Sequence, residues 1–136
     1  MENESQPLVR VYLSVTGDFD PLNFSELVGL RADRTARRGE RDGARVVPRC
    51  DSWDLEMAER RTWDMEGVVD DLLARLAGHE AQINAVTRAH DLGVVLRIVA
   101  YWNPAESSAP AVTLSVQQIA CLARLGAFLD VDLYAS

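Results

Sequence analysis

The sequence predicts an α+β fold in which a four-stranded sheet carries its helices mainly on one face. Two observations lead to this class. Apolar and polar residues alternate over four segments, as expected for strands with one buried face, and capped helical segments lie between them. The expected order is β-α-β-α-α-β-α-β, a split β-α-β arrangement related to the ferredoxin-like plan.

The first half of the chain begins with a strand and a short helix. Residues 8–16 alternate cleanly, with valine or leucine at every second position. Asp20 precedes a proline, a favourable pair for the N-cap and first turn of a helix, and Gly29 ends that helix. A second strand is expected at residues 50–57, where Trp53 points into the core.

The middle of the chain predicts two helices followed by a long strand. A broad apolar stripe reaches Gly78, with Thr62 or Asp64 as its N-cap. A weaker helix is expected at residues 79–89. Residues 92–102 then alternate as the strongest strand of the sequence.

The last stretch combines a capped helix, a glycine and a strand. Ser115 and Gln118 have the spacing of a capping box, which satisfies two orphan amides at a helix start. Gly126 ends the helix, because glycine adopts the left-handed conformation without a Cβ clash. The period then changes to two, which predicts a strand with Leu129 buried on its inner face.

Size and charge limit the class of protein. A chain of 136 residues, 48% of them hydrophobic, is enough for one core. We expect a single domain over residues 1–136, with residues 1–7 disordered. The polar, acidic start and the lack of a long apolar run predict a cytoplasmic protein with no membrane partner. A net charge of −7 argues against nucleic acid as a partner, because phosphate neutralisation needs a basic surface.

Several segments occur together in this chain: the alternating first strand running into Gly17–Pro21, Leu27–Leu30, Gly39 with Glu40, Trp53, and the ending Leu122–Tyr134. Together they resemble the bacterial domain-of-unknown-function family 4279. One departure is Arg38, which stands before the loop glycine where the family suggests lysine. The resemblance implies single-domain boundaries, and it implies no activity, because the family has no assigned biochemical role.

The predicted fold leaves one face of the sheet without helices, and aromatic and charged side chains lie on it. The residues expected there are Tyr12, Asp54, Arg97, Tyr101, Phe128, Asp130, Asp132 and Tyr134. Tyrosine and arginine are enriched at interface hot spots, so this face is a candidate binding surface for another protein. We also predict a homodimer formed through the open sheet face or a strand edge, and cover of the face by the chain's own loops is the alternative.

Residues 31–49 are predicted to form an Arg-rich loop. The segment has no periodicity and holds seven arginines against three acids. Candidate anion-binding residues in it are Arg34, Arg37, Arg38 and Arg41, since guanidinium groups suit carboxylates and phosphates. The alternative is a solvated loop that balances an acidic body.

No catalytic, nucleotide or cofactor motif is recognisable in the sequence. Asp130 and Asp132 could begin a divalent-cation site if Asp54 and Glu56 came near them. The same acids could instead keep the sheet face soluble or pair with arginines, and we predict no metal site and no cofactor. We also expect no enzyme activity, because acid–base chemistry needs convergent groups in a pocket.

Two hypotheses about function follow. The first is a small cytosolic protein-interaction domain, of which a toxin-neutralising immunity protein is one concrete form. The alternative is a regulatory module in which the Arg-rich loop closes over a small anionic ligand on the sheet.

Overall fold

A computed structural model describes residues 5–40 and 47–135. Within these residues the chain forms six strands and four helices. In order they are β1 (Leu8–Gly17), α1 (Pro21–Val28), β2 (Arg34–Ala36), β3 (Asp51–Glu56), β4 (Arg60–Arg61), α2 (Met65–Leu76), α3 (Glu80–Ala89), β5 (Gly93–Trp102), α4 (Val116–Leu125) and β6 (Phe128–Ala135). None of the described helices is long and apolar enough to cross a membrane.

The strands form one mixed sheet in the order β2-β3-β1-β5-β6, with β4 paired to the start of β1. β1 runs antiparallel to both β3 and β5, and β5 runs parallel to β6. β3 and β5 are therefore parallel with β1 between them. The chain passes from β3 to β5 through β4 and the α2–α3 pair, and the mixed sheet with four helices confirms the α+β class.

The predicted number of strands was wrong, because the sheet has six strands rather than four. β2 lies inside the segment predicted as an Arg-rich loop, and β4 lies between the second predicted strand and the next helix, where no strand was predicted. Strands of three and two residues are too short to show a period of two. Their strand geometry comes from pairing with β3 and β1, which the local sequence does not encode.

The core lies between the helices and one face of the sheet. Alternate residues of β1 and β5 are buried there, namely Val9, Val11, Leu13, Val15, Val94, Leu96, Ile98 and Ala100. Trp53 on β3 is fully buried, as predicted. Its Nε1 donates to the Ser25 hydroxyl at 2.8 Å, and its ring lies edge-on to Phe24, which attaches α1 to the sheet.

The helix ends match the caps read from the sequence. The Asp20 carboxylate accepts the backbone N–H of Leu22 at the start of α1. Both bonds of the Ser115–Gln118 capping box are present at the start of α4, and Gly126 ends that helix with φ of 69°. The buried Gln118 also donates to the Glu66 carbonyl, so the box joins α4 to α2.

The segment predicted to be disordered is only partly described. Residues 1–4 lie outside the described residues. Pro7 is buried, and its carbonyl accepts the backbone N–H of Thr62 at 3.0 Å. This bond continues the pairing of β1 with β4, so the described part of the segment lies against the sheet.

Candidate functional site

The eight residues predicted for the candidate binding face lie on the same side of the sheet. Register pairs place Tyr12 beside Arg97 and Arg97 beside Asp130, across three neighbouring strands. Tyr101 pairs with Tyr134 in the same way. The four described helices pack on the opposite side, against the buried residues of the strands. The period of two within each strand, combined with the register between strands, brings these side chains together.

Arg97 lies at the centre of this face. Its Nε is 3.3 Å from an Asp130 carboxylate oxygen, and Tyr12 lies on its other side. A hydrogen bond with Tyr12, followed by the charges of Asp130 and Asp132, raises the pKa of Arg97. Arg10 lies over the Tyr12 ring, 4.6 Å from its centroid. Tyr12 therefore interacts with two guanidinium groups.

Asp54 belongs to this face by position, but it is not accessible. Only 7% of the residue is exposed, and its Oδ1 has no hydrogen-bonding partner among the described residues. Burial raises the pKa of Asp54, and the neighbouring Ser14 and Arg34 oppose that shift. The carboxylate therefore lies beneath its neighbours and offers no contact to a partner.

The most exposed part of the face lies on β5 and β6. Phe128 is 74% exposed, and the rings of Tyr101 and Tyr134 stack with their centroids 5.3 Å apart while both stay exposed. Asp132 has no hydrogen bond or ion pair with any described residue. We use the name β5–β6 surface for Tyr101, Phe128, Asp130, Asp132 and Tyr134.

The other side of β6 differs from the prediction. Leu129 points to the core side, where it pairs with the buried Leu96, but it is 45% exposed and the predicted burial was wrong. Val131 and Leu133 on the same side are also exposed. The helix α4 packs mainly against α3 and α2, so the described residues cover this apolar row only in part. Sequence alternation identified the row but could not show that it is open.

Two of the four arginines of the candidate anion loop form ion pairs with acids of the same chain. Arg34 forms ion pairs with Glu56 and Asp54. The Nη1 atom of Arg37 lies 3.2 Å from Asp20 Oδ1, and its Nε atom lies 3.4 Å from Asp51 Oδ1. Arg41, the fourth of these candidates, lies outside the described residues.

Asp51 is the acid that organises this segment. Its carboxylate accepts the backbone N–H groups of Arg38 at 2.8 Å and Phe19 at 2.9 Å. These two bonds, in that order of importance, hold the pKa of Asp51 below its ordinary value. The buried carboxylate therefore joins the β1–α1 turn to the start of the Arg-rich segment.

The acids considered for a cation site do not converge. Asp54 and Glu56 lie on β3, whereas Asp130 and Asp132 lie on β6, and two strands separate them. No group of three or more His, Cys, Asp or Glu side chains suited to a metal occurs among residues 5–40 and 47–135. A cleft of about 100 Å³ lies between α1 and α3, lined in part by Phe19. It is smaller than ordinary small-molecule pockets, whereas three other surface clefts have volumes of about 360, 370 and 580 Å³.

The comparisons with known proteins agree with the resemblance read from the sequence. The sequence profile of the family described as Domain of unknown function (DUF4279) matches residues 7–136. No curated protein and no solved structure matches the chain. Because the match covers nearly the whole chain, the protein belongs to the DUF4279 family.

Proposed function

We propose that this chain is a small cytosolic protein-interaction domain that binds another protein through its β5–β6 surface. The observation that carries the proposal is the exposed, preformed stack of Tyr101 and Tyr134, with Phe128 exposed at the other end of β6. Tyr101 and Tyr134 are stacked on each other, and Phe128 is three-quarters exposed on the same face. Aromatic side chains ordered in this way supply contact area at low entropic cost when a partner binds.

The charges around the aromatic rings support a protein as the partner. Arg97 and Asp130 form an ion pair at the border of the surface, and the charge of Asp132 also acts on Arg97. These charges lie between Phe128 at one end of β6 and the stacked tyrosines at the other, and protein interfaces combine such aromatic side chains with polar groups. Large hydrophobic side chains are exposed on both sides of β6. Single exposed apolar residues are normal, but a contiguous group of them is typical of an interaction surface.

The alternative, a module for small anions, has less support. Two of its four candidate arginines, Arg34 and Arg37, already pair with carboxylates of the chain. An anion would have to displace these pairs before it could bind. A toxin-neutralising immunity protein is one form that the interaction domain can take, and an adjacent toxin gene would support that form.

Site-specific photo-crosslinking in cells tests the interaction proposal. Benzoylphenylalanine replaces Tyr134 in one protein and Leu22 in a matched control. Like Tyr134, Leu22 is a large hydrophobic residue with an exposed side chain. It lies on α1, on the helix side of the sheet. We expect discrete protein adducts from position 134 that are absent from position 22. Adducts of twice the chain's mass would identify the partner as a second copy.

Two outcomes would contradict the proposal. One is the absence of adducts from position 134 at native expression levels. The other is the same adduct pattern from both positions, since this would reflect random collision rather than a defined surface.

A further inference from the structure

The outer edge of β6 is unpaired in the described part of the chain. β6 bonds to β5 on one side, and no described segment pairs with it on the other. Every second N–H and C=O group of a parallel edge strand points away from the sheet. The strand runs over residues 128–135 without proline or glycine, so it offers a continuous template for a further strand.

Along β6, aliphatic side chains on one side of the sheet alternate with acidic and aromatic side chains on the other. On the helix side lies the apolar row of Leu129, Val131 and Leu133, all exposed. On the open side lie Asp130 and Asp132 between two aromatic residues. Lysine, which commonly protects exposed edges, is absent from the whole chain.

A second copy of this chain is a poor match for the edge. Antiparallel pairing about a two-fold axis keeps the two open faces on the same side. In the two registers of longest overlap, Asp130 then faces Asp132 of the copy, or Asp132 faces its own equivalent. Like charges directly opposite each other destabilise a strand pair. The net charge of −7 adds to this repulsion.

We propose, as an extension of the proposed function on which it rests, that the partner adds an extended strand to the edge of β6. The added strand alternates Lys or Arg with apolar residues. Its cationic side chains lie beside Asp130 and Asp132, and its apolar side chains cover the row of Leu129, Val131 and Leu133. Backbone bonds supply affinity in this mode of recognition, and the alternating side chains supply specificity.

Three labelled peptides of about ten residues test the proposal, since strands usually have about three to ten residues. One alternates Lys with Val, and one alternates Glu with Val. The third has the composition of the Lys–Val peptide but groups its lysines at one end. The proteins are the parent chain, Asp132→Lys at the edge, and Glu26→Lys as a control. Glu26 is an exposed acid on α1. This helix packs on β3, which two strands separate from β6.

Fluorescence anisotropy at low salt should show that the Lys–Val peptide binds the parent chain and Glu26→Lys alike. Asp132→Lys should weaken it about tenfold, since an attraction becomes a repulsion. The Glu–Val peptide should bind Asp132→Lys more tightly than it binds the parent, which also shows that this variant is folded. Hydrogen exchange should slow in residues 128–135 when the Lys–Val peptide is bound.

Equal binding of the alternating and grouped peptides would overturn strand addition. Equal losses in Asp132→Lys and Glu26→Lys would do so as well, since only net charge would then matter. Crosslinks at position 134 without peptide binding would overturn the chemistry proposed for the strand and leave the interaction surface in place. An absence of both would contradict the proposed function itself.

Discussion

Leu96 and Leu129 provide a direct test of the open edge. The two leucines are register partners on β5 and β6 and point to the same side of the sheet. Leu96 is fully buried, whereas 45% of Leu129 is exposed. Truncating each to alanine removes the same atoms from neighbouring positions. Any difference in the lost free energy of unfolding therefore reports how well each leucine is covered by the rest of the structure.

The two changes should differ severalfold in free energy of unfolding. Leu96→Ala loses the full transfer energy of the side chain and leaves a cavity, which together cost about 3–5 kcal/mol. Leu129→Ala loses only about half of the transfer energy, and water fills the space. Its cost should be about 1 kcal/mol.

Urea unfolding measures both values under identical conditions. With a slope of about 1–3 kcal/mol per molar urea, the two midpoints should differ by about 1 M or more. Equal losses at Leu96 and Leu129 would refute the reasoning, because they would show that Leu129 is covered in solution. Light scattering on the same samples would then tell whether a second copy covers it.

Three further changes test the buried polar groups. Gln118→Ala should cost about 2–4 kcal/mol in urea unfolding, because it breaks the capping box and the bonds to the Glu66 carbonyl and the Asp70 carboxylate; an unchanged midpoint would contradict this. Asp54 has a raised pKa in the folded state, so the stability of the parent relative to Asp54→Asn should fall as pH rises through that pKa. A flat difference between about pH 3 and pH 7 would show that burial does not control this carboxyl. Asp51 has a lowered pKa because it accepts two backbone N–H groups, so the advantage of the parent over Asp51→Asn should be complete at neutral pH and shrink below about pH 4. An advantage that persists in acid would contradict these bonds as its cause.

The fold class and most element boundaries could be predicted from the sequence because their signals are local. Alternation in β1 and β5 identified the buried side of each strand, and Asp20 and Ser115 marked helix starts that the structure confirms. A cap satisfies amides within its own first turn. Its effect therefore does not depend on what lies elsewhere in the chain.

The candidate site was predictable as a set of residues on one face, but not in its accessibility. Alternation placed Asp54 and Phe128 on the same side of the sheet, and the structure agrees. It could not show that neighbouring side chains bury the first and leave the second exposed. Accessibility depends on strand order, which is set by pairings between segments distant in sequence.

The sequence by itself determined which residues form the long strands and helices, and which side of each strand is apolar. Only the tertiary structure decided that β6 is an edge strand and that α4 packs mainly on α3 and α2. The apolar row of Leu129, Val131 and Leu133 is consequently exposed instead of buried. The physical reason is that a period of two specifies a direction for each side chain, whereas burial depends on which other element packs in that direction.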